Sequence, residues 1–213
     1  MRVERRRAAA AVMVMAAMAG VPCAAAEREC ALETRLEWVD VSDLAPFAHT
    51  VMTRETARTL ADHGVCAKVV LASPWSVRGR GDIGIVLLRS MVGSGVGRHV
   101  MGATRTRDPR NATVWVYFDA VASALGLAGR PPESWTAIER FEFGRALGRV
   151  AAHEVVHALL PGRPHDRVGL MAASLGRHAL TVPEPFTHPG LVADMRAVAP
   201  AAAGAERSWV AAR

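Results

Sequence analysis

The chain has 213 residues, with 26 basic and 20 acidic side chains, a formal net charge of +6 and 51% hydrophobic residues. That length is enough for a domain with a real core. Lys68 is the only lysine, the arginines are scattered rather than striped, and aromatic residues make up 5%. Charge and composition therefore speak against a nucleic-acid-binding protein, which needs a clustered basic surface and bases to stack on.

The N-terminus reads as a secretory signal peptide. Arg2, Arg5, Arg6 and Arg7 precede an uncharged run from Ala8 to Gly20, Pro22 breaks it, and Ala24-Ala25-Ala26 offers a small-residue cleavage site. The run is shorter than the roughly 20 residues that span a bilayer. Later hydrophobic stretches are shorter still, so no membrane span is expected in the mature chain. Residues 1–26 are thus expected to be removed, leaving 27–213 as one exported domain, periplasmic or secreted. The leader takes four arginines and one glutamate with it, so the net charge falls from +6 to +3. It also removes Cys23, which leaves Cys30 and Cys66 with a single pairing open to them in an oxidising compartment. Nothing fixes the oligomeric state, and a monomer is the simpler expectation.

Residues 34–41 (TRLEWVDV) alternate in the manner of a half-buried strand, and 46–63 carry apolar residues at helical spacing before Gly64. Residues 65–72 and 82–88 are β-branched or apolar runs that predict strands, with a turn-rich SPWSVRGRG between them. The glycines of 92–97 (VGSGVG) lack the lysine-serine pair and helix of a phosphate loop, so a plain loop is expected. Residues 98–104 suggest a short edge strand and 112–118 (ATVWVYF) the clearest strand of all. Asn111-Ala112-Thr113 fits a glycosylation acceptor. A short helix is expected over 119–127. A long one follows, with Ser134 as its N-cap, Phe141, Leu147, Val150 and Ala151 on its apolar surface, and Glu139, Arg140, Arg145 and Arg149 elsewhere around it. Pro161-Gly162 ends it, the chain is then irregular, 191–198 predicts a last helix, and 199–213 a frayed tail.

The long helix carries HEVVH. Positions four apart lie on one helical face, so His153 and His157 can point two imidazoles at one ion. Ala151, Ala152, Val155, Val156 and Ala158 around them predict burial, and buried imidazoles need partners. Zinc suits imidazole donors. Glu154, about 100° around the helix, stands beside the ion without binding it, the place for a general base that takes a proton from water activated by the metal. Catalytic zinc keeps three protein ligands. His165, Asp166, His178 and Glu184 could each be the third, and His165 is preferred because Pro161-Gly162 can fold the chain back beneath the metal.

Residues 153–171 resemble the zinc signature of the metzincin clan of metalloproteases, in which HExxH is followed by a glycine turn, a third histidine and a methionine in a tight turn under the metal. His153, Glu154 and His157 match directly, His165 stands for the third ligand, and Met171 in Gly169-Leu170-Met171 for the methionine. Leu160 and Arg163 occupy the clan's usual glycine and histidine positions, so the third histidine comes two residues late, as in a divergent bacterial-type branch. Ala172-Ala173 follows the methionine where many members have tyrosine, leaving Arg177 or His178 as the remaining candidates to stabilise an oxyanion. The resemblance implies an α+β fold: a twisted, mostly parallel mixed sheet, a backing helix, an active-site helix and a small irregular C-terminal subdomain ending in a helix.

The expectation is a zinc metallopeptidase with its peptide substrate extended along the edge strand near 98–104. Two other readings stay open. One is a catalytically idle zinc-binding or partner-binding protein. The other is a zinc amidase acting on non-peptide or cell-wall amides.

Overall fold

The computed structural model describes residues 30–74, 82–90, 100–106, 112–183 and 188–198. The expected signal peptide, the 92–97 glycine loop, Asn111, Glu184 and the 199–213 tail lie outside these residues.

The elements are strand β1 (Leu32–Asp40), helix α1 (His49–Ala61), strands β2 (Val65–Leu71), β3 (Ile83–Leu88), β4 (Gly102–Arg105) and β5 (Thr113–Tyr117), and helices α2 (Phe118–Ala124), α3 (Ala137–Leu159) and α4 (Arg177–Thr181). A further helix, α5, covers 189–198. The five strands form one sheet in the order β2-β1-β3-β5-β4. β1 pairs in parallel with β2 and β3, and β3 with β5, while β4 runs antiparallel to β5 at the edge. The result is an α+β arrangement on a mostly parallel mixed sheet.

Register decides what each face does. Leu36 sits opposite Ile83, Trp38 opposite Ile85, Ile85 opposite Val114 and Val116 opposite Gly102. Side chains alternate along a strand, so these residues share one face, and Leu36, Trp38, Ile85, Val114 and Val116 are wholly buried there. α1 and α3 cover this face. They approach closely at Gly148: a Cβ there would lie 2.7 Å from the Met52 carbonyl oxygen and 3.0 Å from the Thr56 nitrogen. Thr56 Oγ1 donates to Met52 O at 2.7 Å and lies 3.3 Å from Gly148 O across the same gap.

Several local expectations need correction. The N-cap of α3 is Thr136, not Ser134: Thr136 Oγ1 accepts from the Glu139 nitrogen, and the Glu139 carboxylate accepts from the Thr136 nitrogen, a reciprocal capping box. Ser134 closes a 3-10 turn instead and donates to Pro131 O. Phe141 is 48% exposed, with the Arg145 guanidinium 4.8 Å over its ring, whereas Phe143 is fully buried against Phe47, Phe118 and Trp135. The two phenylalanines lie about 200° apart around the helix, so one stripe cannot take both. Arg149, expected away from the apolar surface of the helix, is nonetheless shielded from solvent. It is buried, its Nε donates to Glu55 Oε1 at 2.8 Å, and its two terminal nitrogens donate to the carbonyls of Ala179 and Val182. The segment after Met171, expected to be irregular, contains α4.

Cys30 and Cys66 form a disulfide with Cα atoms 5.5 Å apart, joining the chain before β1 to the start of β2. Gly64, at φ +81°, ends the α1 region and its carbonyl accepts from Ala31 and Leu32. Among the described residues no helix is long and apolar enough to cross a membrane.

Candidate metal centre

His153 and His157 lie in the last two turns of α3. Past Leu160 the chain turns at Gly162, whose φ of +83° suits glycine, and Arg163 N bonds back to Leu160 O. The returning segment brings His165 against the helix. His157 Nε2 lies 3.2 Å from His153 Nε2 and 3.1 Å from His165 Nε2, and the three ligand nitrogens all fall within 4.8 Å of one another. Donors on a tetrahedral ion at 2.0–2.1 Å stand about 3.3–3.4 Å apart. The two close approaches fit that shell, and imidazole nitrogens so near one another would be held well by a shared cation.

The tautomer is set from behind. His153 Nδ1–H donates to the Leu170 carbonyl at 2.7 Å, which leaves Nε2 with its lone pair facing the triad. Leu170 is placed by a tight turn: Gly169 has φ +86°, Ala172 N donates to Gly169 O, and Asp166 N donates to Met171 O at 2.8 Å. Met171 is fully buried in this turn. Burial, with the neighbouring His165 adding to it and the Leu170 bond opposing, keeps His153 below its ordinary pKa. Burial first, then His153, His165 and Arg163, lowers His157 to about 4. Both rings are therefore neutral at neutral pH, the form that binds a metal.

Glu154 is 8% exposed and lines the same cleft as the three histidines. Burial pushes its carboxyl up to about 7, against the pull of a hydrogen bond from Thr104. Thr104 Oγ1 lies 2.8 Å from both Glu154 Oε2 and Glu154 O, and its one proton serves either of them at a time. The cleft holds about 800 Å³ and runs between β4 on one side and the 161–175 segment on the other. Val100, Met101, Gly102 and Thr104 form the strand wall, and Pro161, Gly162 and Ala172 to Leu175 the other.

Of the alternatives for a third ligand, Asp166 is engaged by Arg163 and stands outside the triad. His178 is an exposed residue of α4. Arg177, one of the two oxyanion candidates, donates instead to Glu142 and to the Leu125 carbonyl, and neither it nor His178 lines the cleft.

The sequence does not point to Thr104 or Gly102, because a four-residue strand beside a polar turn does not reveal which face meets the helix. In the sequence Arg163 stands out only by occupying the clan's usual histidine position. It donates to Asp166 at 3.1 Å and to Asp194 of α5 at 2.9 Å, tying the His165 segment to that helix.

No family model matches the sequence, and no curated protein matches it. Among solved structures, the chain is similar to archaemetzincin from Methanopyrus kandleri, with a TM-score of 0.47 and 15% identity over 77% of this chain and 94% of that one.

Proposed function

We propose that this chain is an exported zinc hydrolase that cleaves peptide bonds. The observation that carries the reading is a buried carboxylate, Glu154, placed next in sequence to one of three convergent imidazoles and facing an open cleft along a sheet edge. A purely structural metal site needs no such group.

His153, His157 and His165 would hold the ion through their Nε2 atoms. When bound there, zinc supplies acidification of water and polarisation of a carbonyl. Glu154 would accept the proton of the attacking water at Oε1 and hand it to the leaving nitrogen, and its lift toward neutrality by burial suits a group that must both take and give. Met171, buried beside Leu170 in the turn whose carbonyl meets His153, would form the floor of the site. Among the described residues β4 ends the sheet on the cleft side, so an extended peptide could add to it as a further antiparallel strand. The Cys30–Cys66 disulfide supports an oxidising compartment and hence the export that the leader suggests.

The test is zinc content and cleavage of a broad peptide library by the mature chain, wild type beside Glu154→Gln. The variant should keep its zinc and lose cleavage by at least about 100-fold, the lower end of what a positioned acid–base group contributes. Zinc at full occupancy with no cleavage by the wild type would favour an idle binding protein, and cleavage of cell-wall amides alone would favour an amidase.

A further inference from the structure

We infer that Thr104 is a positioning residue for Glu154, fixing one carboxylate oxygen against β4 while Gly102 supplies the clearance in which the rest of the carboxylate lies at the cleft wall. The inference rests on the reading of Glu154 as the proton-transferring group.

A glutamate side chain turns about three bonds, and its helix fixes only where the chain starts. Two contacts with β4 remove that freedom. Gly102 and Thr104 are two residues apart on a strand, so both face α3. At 102 there is no side chain: a Cβ would lie 2.7 Å from Glu154 Cγ, 3.0 Å from Glu154 Oε1 and 3.0 Å from Val150 Cγ1. The glutamate thus lies flat against the strand in space that any other residue would fill. At 104 the hydroxyl meets Oε2 at 2.8 Å. A hydroxyl fits this task better than a cation, because an arginine or lysine in its place would hold the carboxylate as an ion pair and sap its basicity. The same four-residue strand therefore does two things: its outer edge carries no further strand among the described residues and can take a peptide, and its inner face fixes the group that acts on that peptide.

The experiment compares wild type, Thr104→Val, Thr104→Ser and Gly102→Ala in the full mature chain. It uses crystal structures of the metal-free proteins, zinc affinity by chelator competition, and kcat and KM on a fluorogenic peptide from the library. Val keeps the shape and loses the hydroxyl, and Ser keeps the hydroxyl. In Thr104→Val the Glu154 carboxylate should leave β4, kcat should fall by about 100-fold, the loss expected when a reacting group is misplaced by an ångström, and KM and zinc affinity should hold within about 2-fold. Thr104→Ser should restore both the carboxylate position and most of kcat. Gly102→Ala should displace the carboxylate by itself, which keeps the inference testable if Thr104→Val fails to fold. An unmoved carboxylate in Thr104→Val, or a kcat within about 2-fold of wild type, overturns the inference. If the wild type cleaves nothing, the functional reading has failed, and the carboxylate position in the metal-free crystals still decides the positioning role.

Discussion

His153 and His157 reach the triad from one helix whose packing is fixed along its length, whereas His165 reaches it from a loop. The helical pair is backed by a capped 23-residue helix, a backbone-to-backbone approach to α1 at Gly148 and a buried guanidinium one turn before His153. The loop histidine is exposed and depends on two turns and on the Arg163 links to Asp166 and Asp194. Two ligands are thus set by secondary structure, and the third by a handful of polar ties. The centre should lose its shape from the loop side first.

The largest effect should come from the ligands themselves. His153→Ala removes a ligand and leaves the Leu170 carbonyl without its donor, so zinc affinity should drop by well over the roughly 10–100-fold that outer-shell changes cost. His165→Ala should weaken zinc nearly as much while Tm stays close to wild type, because an exposed loop ring contributes little to packing. Chelator competition and thermal melts on both variants separate the two roles, and equal losses of Tm would break the contrast.

Next comes the anchor of the helical side. Arg149→Ala leaves Glu55 with Arg58 as its one remaining guanidinium partner and frees the carbonyls of Ala179 and Val182, so stability should fall by about 1–3 kcal/mol in a denaturant titration. The pH dependence follows from the same pair. Burial works to raise the Glu55 carboxyl, and the guanidinium bonds of Arg58 and Arg149 outweigh it, leaving the group below its ordinary 4.5. The stability it brings is therefore whole above pH 4.5 and lost as pH falls through the lower folded value. Glu55→Gln should flatten that acid limb. A limb unchanged in the variant would show that another carboxylate sets it.

The smallest effect belongs to the loop clamp. Asp194→Ala removes a half-exposed ion pair, so global stability should change by no more than about 1 kcal/mol, while zinc affinity should fall several-fold because His165 loses its tether. A fall in Tm without any change in zinc affinity would mean that Arg163 only fastens α5.

The sequence made the helical side of this contrast easy to read. Two histidines four apart on a small-residue stripe have one geometric meaning, and partial alternation at 34–41 together with β-branched or apolar runs makes the strands plain. The loop side was legible in order but not in contacts, since a turn at Gly162 could have carried His165 either way. Two features went unread for a common reason: their meaning lies across the fold. Arg149 looks like a solvent-facing arginine until Glu55, 94 positions away, supplies its partner. Thr104 is an ordinary strand residue until α3 crosses it. The cap of α3 was written locally, as Thr136 with Glu139 three residues on, beside a second acceptable cap at Ser134.

The length and end-point of α3 have one more effect. The helix stops at Leu159, two residues past His157, so its carbonyl end lies beside the three rings. Aligned peptide dipoles give such an end roughly half a negative charge. The main chain itself should therefore draw a divalent ion toward this spot and favour it over a neutral occupant, an attraction that remains when any single side chain in the cleft is exchanged.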